Sequence, residues 1–333
     1  MFKMFQKEKF DMLKERCRRD GTDLVYTLTR VLSLDKSAIY KRLDGSKILS
    51  LEEVILIQEY FQLPEYFFTS NASTVIPFRF GMLQKQPESV VGFLQPIHDQ
   101  LMQLRNMDQV SITYASSEIP LFNYFQFPEL TYFKFYIWAR TIWEMPHYRN
   151  RTFDVSTVLS AEEDSFRDMV HQLRQAYSSI PSTEYWSVNI LDNTINQIRF
   201  YAETDNFTDP RMCGQLMDQL DQLICGMEET ARLGHKPGEN EANFHLYHNE
   251  ITHTNNTILV EHAGQPIQTY CSFDNPNFLT TDYSEFCRYT RQWFDKLRKG
   301  STYLSVAGSR QRVKYFRELR RRLQEGRDML GCE

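Results

Sequence analysis

Between Leu24 and Gly45 the chain reads LVYTLTRVLSLDKSAIYKRLDG, two short runs with apolar residues at helical spacing on either side of a tight turn. Val25, Leu28, Val31 and Leu32 form the first stripe, and Thr22 or Asp23 stands ready to cap its unsatisfied N–H groups. Ser33 falls where the chain must turn. Asp35 caps a second helix ending at Leu43, in which Ile39 and Leu43 point inward four residues apart. That leaves Lys36, Ser37, Tyr40 and Lys41 on the outer face. A first helix over Phe2 to Arg19 offers Phe5, Phe10, Met12, Leu13 and Cys17 as apolar contacts. Ser50-Leu51-Glu52-Glu53 is a capping box that opens a further helix through Phe61.

These residues resemble the Cro/C1-type (lambda-repressor-like) helix-turn-helix domains. The shared features are the step Leu32-Ser33-Leu34, the capped start Asp35-Lys36-Ser37-Ala38-Ile39, and Gly45 closing the unit. Thr29 stands where that family usually has alanine and Ser33 where it usually has glycine. Arg42 replaces a common last apolar residue, with Leu43 taking that role. The resemblance implies double-stranded DNA as partner, with the helix over 35–43 lying in the major groove. Lys36, Ser37, Tyr40 and Lys41 would then contact bases, and Arg42 and Lys47 phosphates. One short recognition helix reads few base pairs, which favours a homodimer on an inverted repeat.

A chain of 333 residues accommodates more than one domain. We expect a helix-turn-helix domain over 1–68, a linker over 69–79 carrying the polar TSNASTVIP, and a larger C-terminal domain over 80–333 for dimerisation or effector sensing. The N-terminus lacks the apolar core of a signal peptide. The densest apolar run, Tyr132 to Trp143, is interrupted by Lys134 and Arg140, so no membrane partner is expected and the cytoplasm is the expected location. Cys17, Cys213, Cys225, Cys271, Cys287 and Cys332 are scattered without a CxxC and read as reduced thiols. Charge is segregated. Residues 1–70 hold 12 Lys/Arg against 11 Asp/Glu, 71–287 hold 13 against 27, and 288–327 hold 13 against 3. A near-neutral N-terminal domain weighs against DNA binding, because phosphate contacts dominate affinity. Local clustering of Lys36, Lys41, Arg42 and Lys47 offsets this.

Beyond the linker the pattern predicts an α+β domain, mostly helical, with a small antiparallel sheet. Helices are expected over Glu88 to Asn106 (with Pro96 inside), Ser160 to Ser178, Tyr185 to Tyr201, Asp209 to Gly234, Asp282 to Lys299 and Gly308 to Leu330. Gln109–Ser116 alternates as a strand. Asn243–His248, Thr257–His262 and Ile267–Phe273 read as an antiparallel meander. From Leu121 to Tyr148 eleven of 28 residues are aromatic, which reads either as rings lining a ligand pocket or as a buried helix pair filling the core or a dimer interface. The segments IPLFNYFQFPELTYFKFYIWARTIW, NEITHTNNTILVEH and NFLTTDYSEFCRYTRQWFDKLRKGSTYLS resemble the C-terminal part of a broad group of uncharacterised bacterial regulators. That likeness assigns no ligand and no catalytic residue.

The sequence has no GxGxxG, P-loop, GxSxG or HExxH, so no enzymatic activity and no cofactor are expected. His245, His248 and His253, with Cys271, form the best metal candidate. On a strand His245 and His248 face opposite sides, so no metal site is expected. Glu118, Asp154 and the Glu162–Asp164 run read as loop and helix-start charges. The basic last helix has three uses open to it: phosphate contacts, binding the acidic surface of 71–287, or a dimer seam through Val313, Phe316, Leu319 and Leu323. The expectation is a DNA-binding transcriptional regulator with room for a small-molecule effector. The alternative is an adaptor whose helix-turn-helix binds a protein.

Overall fold

The computed structural model describes residues 2–19, 21–61, 63, 67–68, 76–83, 87–155, 163–238, 241–250 and 255–330. Most of the TSNASTVIP stretch, the capping-box start at Ser160, and the candidates His253 and Cys332 lie outside the described residues. The chain divides into two compact units, Met1–Pro77 and Phe78–Glu333.

Among its described residues unit 1 has four helices: α1 (Phe2–Arg19), α2 (Leu24–Leu32), α3 (Lys36–Leu43) and α4 (Leu51–Phe61). Asp23 caps α2 by accepting from the Tyr26 N–H at 2.7 Å, and Asp35 caps α3 by accepting from the Ala38 N–H at 2.8 Å. Between them Ser33 is left-handed, with φ 52°. A non-glycine residue there costs about 1–2 kcal/mol. Gly45 is also left-handed, and a Cβ on it would meet the Lys3 carbonyl oxygen at 3.0 Å, so the missing side chain favours the close approach of α1 to the end of α3. The core collects Phe10, Leu13, Cys17, Leu24, Leu28, Leu32, Ile39, Ile57 and Phe61, whereas Met12 is exposed. The capping box forms as read: the Ser50 Oγ accepts from the Glu53 N–H, and Glu53 accepts from the Ser50 N–H.

Unit 2 corrects the expected fold class. It is a mixed α/β unit built on one eight-stranded sheet, not a helical domain with a small antiparallel sheet. The strands are β1 (Arg79–Phe80), β2 (Val110–Ser116), β3 (Ser182–Trp186), β4 (Phe244–His248), β5 (Thr257–His262), β6 (Gln265–Asp274), β7 (Asn277–Thr281) and β8 (Thr302–Tyr303), in the order β1-β7-β6-β5-β2-β3-β4-β8. β2, β3 and β4 are parallel neighbours and the remaining pairs are antiparallel. Residue 79, assigned to the linker, already pairs with Thr280.

The physical reason for the miss is burial on both faces. Ser182–Trp186 is covered on each side and shows no polar alternation, so Ser182–Glu184 carries no strand signal and Tyr185–Trp186 reads as the start of a helix that begins only at Asp192. The predicted meander holds only in part: β5 and β6 pair antiparallel as expected, but β4 pairs with β3 and β8, so β3 and β2 separate it from β5. Among the described residues the α-helices include α5 (Val90–Arg105), α6 (Leu121–Tyr124), α7 (Pro128–Thr141), α8 (Glu163–Ser179), α9 (Asp192–Glu203), α10 (Met212–Leu233), α11 (Ser284–Lys299) and α12 (Ser309–Leu330). One sheet face, carrying Val110, Ile112, Trp186, Phe244, Leu246 and Val260, joins the large helical core. The other, carrying Ala115, Tyr185, Tyr247 and Leu259, packs on Phe294 and Leu297 of α11.

The last helix, α12, buries Phe316, Leu319 and Leu323 against α9 and α10. Its approach is close enough that a Cβ on Gly326 would meet Ile195 Cγ2 at 2.7 Å.

Two substitutions test this account by urea unfolding followed by hydrogen exchange. Ser33→Gly should stabilise unit 1 by about 1 kcal/mol, because glycine occupies the left-handed region at no steric cost. Gly326→Ala should destabilise unit 2 despite alanine's higher helix propensity.

Candidate functional site

The outer face of α3 is built by the caps and core just described. Ile39 is fully buried and fixes the helix rotation, which turns Lys36, Ser37, Tyr40 and Lys41 to solvent. Their side chains make no hydrogen bond or ion pair among the described residues. Lys47 is exposed on the loop after α3. That loop is tied down by Gln6, whose amide donates to the Arg42 carbonyl at 2.7 Å and the Lys47 carbonyl at 2.9 Å and accepts from the Leu49 N–H at 3.0 Å.

Arg42 departs from the expected set. Its side chain is 3% exposed and turned inward, so it is not on the surface that α3 presents. The guanidinium donates through Nε to Glu53 Oε2 at 3.0 Å, through a second nitrogen to Glu53 Oε1, and to the Ala38 carbonyl at 2.9 Å. The position where the related pattern carries an apolar residue is thus filled by a paired cation, and Leu43 beside it is half-buried. The hydrogen bond from Arg42, against the opposing effect of burial, holds the Glu53 carboxyl below its usual range.

The cations of α12 that sequence reading could have sent to phosphates are matched within unit 2. Arg320 pairs with Glu228, Arg321 with Glu318 and Glu325, Arg322 with Asp192 at 3.3 Å, and Arg327 with Asp218 at 2.6 Å. Arg310, Lys314 and Arg317 remain exposed. Of the metal candidates, His245 hydrogen-bonds the Tyr303 hydroxyl at 3.0 Å on one sheet face. His248 meets Glu250 at 2.5 Å and packs at a tilt of 42° against the Tyr315 ring on the other. Cys271 lies on β6, four strand positions away. No group of three metal-ligating side chains occurs among the described residues.

The aromatic stretch becomes α6 and α7, and every residue from Leu130 to Ala139 is buried. In that setting Lys134 is fully buried, and the carboxylate that meets it is Glu118, just beyond the end of β2. Lys134 Nζ donates to Glu118 Oε2 at 3.2 Å and to Gln197 Oε1 at 2.9 Å. Glu118 also accepts from Asn193 at 2.7 Å and from Asn275 in the β6–β7 turn. Burial pushes the Glu118 carboxyl up, but the Lys134 charge and these amides outweigh it and leave it below the usual range. Glu118 is therefore no surface loop charge. The signal available in the sequence was Lys134 itself, since a lysine inside an apolar helix requires a buried counter-charge.

The same pair forms part of the wall of a cavity of about 140 Å³ between the sheet and helices α5, α6 and α7. Phe93, Ile97, Phe122, Trp138, Ile258 and Phe278 supply its apolar surface, so the two uses weighed for the aromatic run coexist: most rings fill the core, and a few line a pocket. No protein-family model, curated protein or solved structure matches this chain. No helix among the described residues is long and apolar enough to cross a membrane.

Removing either buried partner has a defined cost. Arg42→Ala should destabilise unit 1 by about 2 kcal/mol, through the loss of the charge-assisted hydrogen bonds to the half-buried Glu53 and of the packing of the guanidinium. Because the folded-state pKa of Glu53 is depressed, the pair's contribution is complete above the unfolded carboxyl pKa of about 4.3 and is lost as pH falls through the folded value. Glu53→Gln should flatten that acid limb in a pH series of unfolding midpoints. In unit 2, Lys134→Met should cost about 3–5 kcal/mol, and adding Glu118→Gln should recover much of it, because the uncompensated charge is then gone.

Proposed function

We propose that this protein is a cytoplasmic, non-catalytic, sequence-specific DNA-binding transcriptional regulator that acts as a homodimer and reads the major groove with α3. The observation that carries the reading is the contrast within one short helix. Arg42 is locked inward by Glu53, while Lys36, Ser37, Tyr40 and Lys41 stand exposed on a rigid, doubly capped element with no competing partner within the described chain. Lysine and tyrosine can donate to guanine acceptors or to phosphates, and serine can bond either. Lys47, held by the Gln6 clamp, suits a backbone contact. In this reading Arg42 positions the helix and touches no phosphate. Unit 2 serves dimerisation, effector sensing or both, and a sensing role requires a ligand whose affinity differs between two states.

The test is fluorescence anisotropy of the full chain on DNA from its own upstream region, beside a scrambled duplex, across a salt series. Lys36→Ala/Tyr40→Ala should weaken specific binding by about 10–100-fold, in line with about 1–3 kcal/mol for a good base contact. Neutralising Arg320, Arg321 and Arg322 should leave the salt dependence unchanged, because those charges are met by carboxylates of unit 2. Absence of binding even to pooled genomic fragments at low salt would overturn the reading and favour a protein-binding adaptor.

A further inference from the structure

We infer that the cavity beside the Glu118–Lys134 pair is a binding site for a compact, uncharged, largely apolar molecule of about one ring in size that carries a single hydrogen-bond-accepting oxygen.

Size sets the first limit. Native cores leave few voids larger than a water molecule, whereas this cavity holds about 140 Å³. An engineered apolar cavity of about 150 Å³ accepts benzene, so the space suits a phenol or an aryl ketone and excludes a nucleotide or a peptide.

The polar atoms on the wall set the second limit. Tyr114 is 5% exposed and Asn256 is 4% exposed, and both line the cavity. The Tyr114 hydroxyl makes no hydrogen bond among the described residues. The Asn256 side-chain oxygen is occupied by the Ser117 N–H at 2.8 Å and the Ser117 hydroxyl at 3.1 Å, but its amide N–H groups make none among the described residues. Both residues line the cavity, so donors on an otherwise largely apolar wall that lack a protein partner among the described residues favour a ligand that brings an acceptor oxygen. Burial pushes the Tyr114 hydroxyl well up from its ordinary value, which keeps it protonated and able to donate.

Charge sets the third. Glu118 and Lys134 sit on the same wall and neutralise each other, and Asn193 and Asn275 take up the carboxylate further. A charged ligand would find no unmatched counter-charge and would lose its hydration. The site therefore discriminates against carboxylates and amines of the same shape.

Occupancy of this site rests on the geometry of unit 2, and its use as an effector site rests on the DNA-binding reading above. The two are separated by titrating the full chain with phenol, acetophenone, toluene and benzoate, following calorimetric heat and the fluorescence of Trp138 on the cavity wall. Phenol and acetophenone should bind saturably at one site per chain, and benzoate at least tenfold more weakly than acetophenone. Tyr114→Phe, which removes one oxygen and little volume, should weaken phenol and acetophenone at least fivefold and leave toluene within twofold. Ile258→Phe, which fills the space, should weaken all three neutral probes. Circular dichroism confirms that each variant is folded before it is scored.

No saturable binding of any neutral probe overturns the inference, as does binding that both substitutions leave unchanged. DNA anisotropy on the same samples tells the two readings apart. Probe binding without DNA binding supports the cavity inference while sinking the regulator, and DNA binding without probe binding overturns the cavity inference alone.

Discussion

Placing a lysine in a helix whose residues from Leu130 to Ala139 are all buried obliges the fold to bring a carboxylate to it. Lys134 lies among Phe133, Phe135, Tyr136 and Trp138, where an unpaired ammonium is not tolerable. Glu118 meets that demand, and in doing so it gathers donors from α7, from Asn193 at the start of α9 and from Asn275 in the β6–β7 turn. Segments more than 150 residues apart in the chain converge on one carboxylate. The pair thus specifies how the antiparallel edge of the sheet sits against the helical layer, and it gives one end of the cavity its polar character. A second buried acid follows the same rule. Glu184 on β3 accepts from the Tyr177 hydroxyl at 2.6 Å and the Trp186 N–H at 2.8 Å. Lys236 nearby donates to the carbonyls of Tyr177 and Ile180. Burial drives Glu184 up and Lys236 down from their ordinary values. Both units therefore use buried charge to define geometry, since Arg42 and Glu53 do the same at smaller scale between α3 and α4.

The distinction between charges that hold the fold and charges left for a partner organises the functional reading. Composition puts a basic run at 288–327, but the arginines at its far end face Glu228, Asp192 and Asp218 within the same unit. The acidic middle of the chain is in part the complement of that helix. By contrast, residues 1–70 are nearly neutral in count, yet α3 keeps its lysines and tyrosine unpaired on one face. Net charge by segment is thus a poor guide to where a polyanion would dock, because it counts matched and unmatched cations alike.

Much of unit 1 was legible in the sequence because its signals are local. Asp23 and Asp35 cap the helices they precede, Ser33 makes the turn, Ser50 and Glu53 close their box, and each of these contacts spans three or four residues. What escaped was the inward turn of Arg42. Its burial depends on Glu53 eleven residues later, and no helical periodicity marks a cation as a core residue. In unit 2 the long amphipathic helices and the alternating β2 were also readable. The sheet was not. Its central strand β3 is covered on both faces and its edge strands β1 and β8 are two residues each, so neither alternation nor length distinguishes them, and no local signal gives the order in which the readable strands pair.

By itself, then, the sequence determined most of the long helices, the caps and turns of α2 to α4 and the exposed face of α3, because short-range hydrogen bonding and 3.6-residue periodicity decide those features. Only the tertiary structure decided the order of the eight strands, the partners of Lys134, Arg42 and the arginines of α12, and the cavity with its unpartnered Tyr114 hydroxyl. Those features arise where elements distant in the chain are brought together by burial. A buried charge announces that it needs a partner, but only the packed fold says which one.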